Sequence, residues 1–308
     1  MLLRLLIFSL LLFSHCKNPL TKQKTEELNS AIYEVKFSEI ADDKLSKYEA
    51  SGLVYTSERI YVVFDNTERI ASFTFKNKKV ENISFFGSNK DDSQFEAISF
   101  GFTDKPYLFI AEESRKEKGE YIPYIHIYDT SGNKLDEFSS KVPLKKENKG
   151  FEGLAFTRRL SHPQLVALCE GEGCGKAYKN KKGILYVFGL QKNKKKKEAV
   201  IELPYLQGFS DYSDIALLED KVAITSQEGS YVWIGEFMKG SWKLKNKGLI
   251  YAFPRGKQKE LLYCNIEGVS WIDETTLAFV SDKAKKSYPK SCKTKSEMFH
   301  VFILKVKP

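Results

Sequence analysis

Histidine is scarce in this chain: four residues among 308, His15, His126, His162 and His300, lie far apart. A Cys/His zinc site needs paired ligands at tight spacing; Cys169-x4-Cys174 has no matching second pair. The Gly-x-Ser-x-Gly turn of α/β serine hydrolases is missing. Gly171-Glu-Gly-Cys-Gly175 is glycine-rich, but without the Gly-Lys-Ser/Thr ending it is no phosphate loop. No run longer than about ten residues combines helical 3.6 spacing with caps, so helices are minor. Those absences set aside zinc proteins, phosphate-loop enzymes, α/β hydrolases and helical bundles.

What remains is a β-forming composition. The chain has 22 Phe and 16 Tyr, with frequent Val and Ile, which favours strands. Lys plus Arg number 49 against 40 Asp plus Glu, a net charge of +9. The lysines fall between the apolar runs, which reads as solvated loops and not as a nucleic-acid face.

The N-terminus has the form of an export signal. Met1 to Arg4 is a short basic region and Leu5 to Phe13 is apolar, too short for the roughly 20 residues of a spanning helix. Cys16 stands where a bacterial lipoprotein is lipidated, although His15 and Phe13 depart from the usual residues there. The expected organisation is a signal peptide over 1–15, lipidated Cys16 as mature N-terminus, a flexible tether over 16–30, and one domain over 31–308. Export to the cell envelope, periplasmic or surface, makes the compartment oxidising. The even set Cys169, Cys174, Cys264 and Cys292 then reads as two disulfides.

Five repeats organise the domain. A short strand begins at Ser51, Glu96, Glu152, Ser213 and Glu267, as in Glu96-Ala-Ile-Ser-Phe100 and Glu267-Gly-Val-Ser-Trp271. Each start is followed by a second strand, ending at Asp65, Glu112, Glu170, Gln227 and Asp282, and by a third. Four units also carry a fourth strand. The fifth lacks one, and Ile32 to Phe37 supplies it. Four short strands per unit of 45 to 61 residues predict an all-β, five-bladed β-propeller closed by its N-terminal strand.

In each antiparallel pair the start of strand one and the end of strand two share a rim, so the ten positions form two rings at one mouth of the channel. Seven are acids: Glu96, Glu152, Glu267, Asp65, Glu112, Glu170 and Asp282. Gathered like charges call for a hard cation with oxygen ligands, Ca²⁺ above all. The plainer reading is acids that cap strand-end amides or pair with loop lysines. Three loops on the same face are basic: Arg115, Lys116 and Lys118; Lys176, Lys179, Lys181 and Lys182; Lys283, Lys285, Lys286, Lys290 and Lys293. Cys169, Cys174 and Cys292 lie in or beside these loops and Cys264 precedes a first strand on the same rim, so Cys169–Cys174 and Cys264–Cys292 would brace the mouth. The run Lys194 to Lys197 reads as a solvated hairpin on the opposite rim.

Gly150-Phe-Glu-Gly-Leu-Ala-Phe156 resembles a segment of the phytase-like (esterase-like) β-propeller family, as do Ala50-Ser-Gly-Leu53 with Asp65-Asn66, Phe95-Glu96 with Glu112-Glu113, and Ile266-Glu-Gly268 with Ser281-Asp282. The SdiA-regulated propeller family shares much of this pattern. The resemblance covers about residues 45 to 305. It implies a propeller in an exported or periplasmic setting that hydrolyses a phosphate ester or carboxyl ester; with the divalent metal expected from the acidic rings, this reads as a metal-assisted hydrolase, expected to be a monomer. Repeat four departs from it, with Ser213-Asp214 and Gln227 where acids are expected. The alternative is a non-catalytic surface propeller that binds a protein or an anionic small molecule. Either form meets the membrane through its N-terminal lipid. Replacing Cys16 with Ala is therefore expected to move the protein from the membrane to the soluble fraction; retention in the membrane fraction contradicts lipidation.

Overall fold

Branched and aromatic side chains pack well on a pleated surface, so the runs rich in Val, Ile, Phe and Tyr are disposed to extended backbone. In the computed structural model, which describes residues 23–41, 48–57, 59–91, 93–147, 149–169, 174, 182–191 and 194–304, these runs form five antiparallel sheets. Blade one is Ala50–Tyr55, Ile60–Phe64, Thr67–Lys76 and Lys79–Asp91. Blade two is Phe95–Phe102, Pro106–Glu117, Glu120–Tyr128 and Lys134–Ser139. Blade three is Gly153–Thr157, Gln164–Cys169, Ile184–Gln191 and Lys194–Glu202. Blade four begins with Asp214–Leu218, Lys221–Ser226, Tyr231–Glu236 and Leu249–Ala252. Blade five is Ile266–Trp271, Thr276–Ser281 and Met298–Ile303, with Tyr33–Lys36 as its outer strand. The inner strand of each blade touches those of both neighbours, which closes the ring of a five-bladed propeller.

The core lies between blades. Ile60, Val62 and Phe64 face blade five, while Tyr61 and Val63, one pleat out of phase, face blade two. A strand covered on both faces has no polar side, which is why Ile60–Phe64 is apolar and buried throughout. The other three junctions have the same construction.

Ring closure rests on one cross-strand pair as well as on backbone bonds. Glu34 stands opposite His300 and accepts a hydrogen bond from its Nδ1 at 3.1 Å. Lys295 Nζ also bonds to Glu34. Blade two carries the same device at the same place: Glu137 on its outer strand faces His126 on its third. The N-terminal strand thus occupies the position of an ordinary fourth strand.

Three expectations need correction. Part of the expected tether is a strand: Thr25–Glu27 pairs in parallel with Leu249–Ala252 and adds a fifth strand to blade four. The lysine run is not a turn. Lys194 begins the outer strand Lys194–Glu202, where lysines discourage edge-to-edge pairing. Phe37 opens a one-turn helix, Phe37–Ile40, instead of ending the closing strand. The signal peptide 1–15 and Cys16 lie outside the described residues.

Burial alone would raise the Glu34 carboxyl, but bonds from His300 and Lys295 prevail and hold it at about 2. Its folded value is therefore below the unfolded one. The stabilisation is present above about pH 4.5 and is lost as pH falls toward 2. Glu34→Gln is expected to lower stability by about 1–2 kcal/mol at pH 7, with the difference from wild type shrinking below pH 4.5. Thermal unfolding across pH checks this; an equal effect at pH 7 and pH 2.5 would contradict it.

Candidate metal centre

The mouth is shaped by three β-bulges. In blades one, two and five the pairing register slips by one residue, at Ala50/Gly52, Phe95/Ala97 and Ile266/Gly268. The unpaired extra residues are Ser51, Glu96 and Glu267, and a bulge turns its residue out of the ladder. In the same blades a backbone bond anchors the residue just past the last pair between the first and second strands: Asp65 N to Glu49 O at 3.0 Å, Glu113 N to Gln94 O at 2.9 Å, and Asp282 N to Asn265 O at 2.9 Å. Asp65, Glu113 and Asp282 are therefore equivalent.

Five expected acids are brought within electrostatic reach of one another. Burial pushes the Glu96 carboxyl well above the ordinary range, and Glu152, Glu113, Glu267 and Asp65 push it further. Glu267 is raised in the same way, by burial and then by Asp282, Asp211 and Glu152, with Lys285 opposing. Asp282 is lifted to about 6 by burial, with Glu49 and Glu297 adding to the rise.

Glu112 is a correction. It equals Ser281 in register, one residue before the rim, and points into blade two. Arg115 Nε donates to it at 2.8 Å and His126 Nε2 lies against it. Burial would raise this carboxyl, but those bonds hold it at about 2. Arg115 also bridges to Glu137 at 2.7 Å, so it is a structural cation and not part of a free basic rim. Glu113 takes the place at the mouth expected of Glu112. Glu170 lies outside the described residues, as do Lys176, Lys179 and Lys181.

Blade four contributes differently. Ser213 Oγ donates to Ile266 O at 2.9 Å, as Ser51 Oγ does to Phe95 O at 2.5 Å, so both serines tie one blade to the next. Its acid at the mouth is Asp211, held by Ser226 Oγ and by Glu228 N at 3.0 Å. Tyr288 stands near it. Burial, then Glu228, Asp211 and Glu267, push the Tyr288 hydroxyl up to about 12, so it stays protonated. The sequence signal for Asp211 was an acid two residues before the repeat start; for Tyr288 there was none.

The disulfides pair as expected, Cys169–Cys174 and Cys264–Cys292, with Cα separations of 6.1 and 5.6 Å. They suit maturation in an oxidising, exported environment. Cys264–Cys292 ties the segment before Glu267 to the one that follows Lys285 and Tyr288. No helix among the described residues is long and apolar enough to cross a membrane.

The oxygen-rich donor set suits a hard cation. Among the described residues, however, no three His, Cys, Asp or Glu side chains converge closely enough to hold a metal ion. The acids are near enough to repel but are not gathered on one point.

No protein-family model and no curated protein matches this sequence. Solved structures do. Glutaminyl cyclase from Myxococcus xanthus aligns over 93% of this chain and 100% of its own, at 9% identity and a TM-score of 0.52. The PQQ-bound aldose sugar dehydrogenase of Streptomyces coelicolor aligns over 90% and 97%, at 10% identity and 0.49. Regucalcin, a calcium-binding protein from Agrobacterium tumefaciens, aligns over 92% and 98%, at 9% identity and 0.46. At 9% identity the likeness to the glutaminyl cyclase shows the fold alone.

With no cation bound, a raised carboxyl must ionise against its surroundings, so its share of stability falls as pH rises past the unfolded value. In the presence of a chelator, Glu267→Gln is expected to raise the melting temperature at pH 8 and to leave it nearly unchanged at pH 4. A variant less stable than wild type at pH 8 would mean that Glu267 is a satisfied structural group.

Proposed function

We propose that this is an exported, lipid-anchored propeller that binds Ca²⁺ at its acidic mouth and hydrolyses an anionic ester, with a phosphate ester as the first candidate. The observation that carries the reading is the raised state of Glu96 and Glu267, each destabilised by Glu152 and by further acids. A bound cation removes that cost. Glu96, Glu152 and Glu267 would hold the ion, with Asp65, Glu113 and Asp282 nearby, and the ion would supply Lewis acidity toward an ester oxygen.

The chain's own groups suit an anionic substrate. Lys285 lies close enough to Glu267 to act on it, and Lys283 and Lys286 are exposed beside it. The protonated Tyr288 hydroxyl can donate to an ester oxygen. Asp282, at about 6, has a proton affinity matched to taking a proton from water near neutral pH.

The same ungathered arrangement favours a second reading, a non-catalytic propeller whose mouth binds a cationic group of a partner. One experiment separates them. If the mouth takes Ca²⁺, the ion should stabilise wild type by about 2.7 kcal/mol at a hundredfold excess over its dissociation constant. Glu152→Gln should weaken that effect while stabilising the chelated protein. Hydrolysis of a phosphate-ester panel that requires Ca²⁺ supports the enzyme. Ca²⁺ stabilisation without turnover removes the enzyme and leaves a calcium-holding, non-catalytic propeller. No stabilisation by any divalent ion at millimolar concentration overturns the metal site.

A further inference from the structure

The N-terminal strand joins blade four in one direction, and that direction places the chain's entry point. Ala252 pairs with Tyr231 and Tyr231 with Ser226, whose hydroxyl holds Asp211 at the mouth. Leu249–Ala252 therefore runs toward the mouth, and Thr25–Glu27, parallel to it, does the same. Gln23 consequently lies at the opposite end of blade four, where its Nε2 donates to Lys247 O at 3.0 Å.

The loop that Gln23 meets there is basic. Residues 237–248 join the third and fourth strands and contain four lysines, Lys239, Lys243, Lys245 and Lys247, and no acid. All four lysines are exposed. So are two apolar side chains, Met238 at 50% and, just past the loop, Leu249 at 37%. Lys245 pairs with Glu236 at 2.9 Å. The other acids at this end of blades four and five, Glu219, Asp220, Asp273 and Glu274, lie in the loops between first and second strands, nearer the axis. Positive charge is thus carried by the outer loop.

The loop is held in one shape. Met238 N donates to Lys243 O and Lys245 N to Glu236 O, each at 2.8 Å. Trp233 Nε1 donates to Lys247 O at 2.9 Å. Arg159 of blade three donates to Ser241 O at 2.7 Å, with its guanidinium 4.7 Å from the Trp242 ring centre. A surface ordered in advance loses little entropy on binding.

We propose that this loop of blade four docks on an anionic phospholipid bilayer and turns the acidic mouth away from it. The proposal takes the lipid anchor of the preceding reading as what brings the surface to a bilayer. Cys16 stands seven residues before Gln23, a span of at most about 25 Å even fully extended. An anchor there delivers the far end of blade four first. Bringing the mouth to the same bilayer would take a chain that doubled back along the blade, roughly 20 Å for a strand of six residues. The lysines meet the lipid phosphates, and Met238 and Leu249 meet the apolar side of the interface.

Binding is read by co-sedimentation with vesicles of phosphatidylglycerol and phosphatidylcholine, and with vesicles of phosphatidylcholine alone. The full chain carrying Cys16→Ala is used, so that no lipid on the protein contributes and a failure here leaves the anchor itself standing. Binding is expected to the anionic vesicles only, at low salt, and is expected to fall as salt is added. Lys239→Gln combined with Lys243→Gln is expected to weaken it about twentyfold. Lys257→Gln with Lys259→Gln, two exposed lysines beyond the mouth end of Leu249–Ala252, should leave it unchanged. Orientation is read on the wild-type protein in its own membranes with an amine-reactive label. Lys239 and Lys243 are expected to be protected until detergent removes the bilayer, while Lys257 and Lys259 are modified throughout. No binding to anionic vesicles, equal binding to neutral ones, equal effects of the two double variants, or equal labelling of the two lysine pairs each overturns the proposal. Protection that survives detergent overturns it too, in favour of a protein partner on the loop.

Discussion

The closeness of five inner strands around one axis governs the centre of this molecule. A Cβ on Gly52 would stand 2.9 Å from Ala97 Cα of the next blade, and one on Gly153 would stand 2.6 Å from Ile215 N. One on Gly268 would stand 2.9 Å from Leu53 N. Real side-chain carbons do not tolerate such approach, so four of the five positions are glycine or alanine. The fifth, Asp214, fits because its carboxylate accepts the amides it meets. The acids next to this layer are brought close to one another in turn.

The acid cluster is therefore enforced by backbone geometry. Glu96 and Glu267 occupy bulges and cannot rotate back into a ladder, and their neighbours are anchored by backbone bonds to Glu49, Gln94 and Asn265. A chain with +9 net charge keeps this mouth acidic while its lysines lie on outer strands and loops. Where basic groups do approach acids within a blade, as Arg115 does Glu112 and Lys295 does Glu34, the carboxyl is driven down, not up. The contrast separates structural acids from those of the mouth. Both kinds occur within a few residues of one another.

The blade count and ring closure were legible because they depend on periodic apolar runs and on a missing outer strand, which are properties of the one-dimensional pattern. Glu96, Glu152, Glu267, Asp65 and Asp282 were legible for the same reason: they fall at fixed offsets from those runs. Glu112 was misplaced by one residue because a bulge shifts the count without leaving a mark in composition; the adjacent Glu113 is the equivalent of Asp65. Asp211 was missed because blade four enters its first strand with different hydrogen bonds, Ser213 N to Thr225 O. The strand Thr25–Glu27 reads as a polar tether because an added outer strand need not be apolar. The matched pairs Glu137–His126 and Glu34–His300 could not be seen until both partners, 266 residues apart in the second case, were placed on neighbouring strands.

Asp214 gives the two ends of the channel their independence. A glycine there would leave the amides of Leu154 and Val269 without that acceptor at the tightest layer. A carboxylate joined to them makes the layer a partition. Burial pushes Asp214 well above the ordinary range even though backbone donors oppose the rise, so the partition itself resists taking on charge. On one side lie recessed carboxylates, which favour a cation; on the other no charged side chain lines the channel. Because the same five strands carry both ends, a change that widened the glycine layer would loosen the acidic cluster, and Asp214, which joins three of those strands, is the side chain that holds the layer closed.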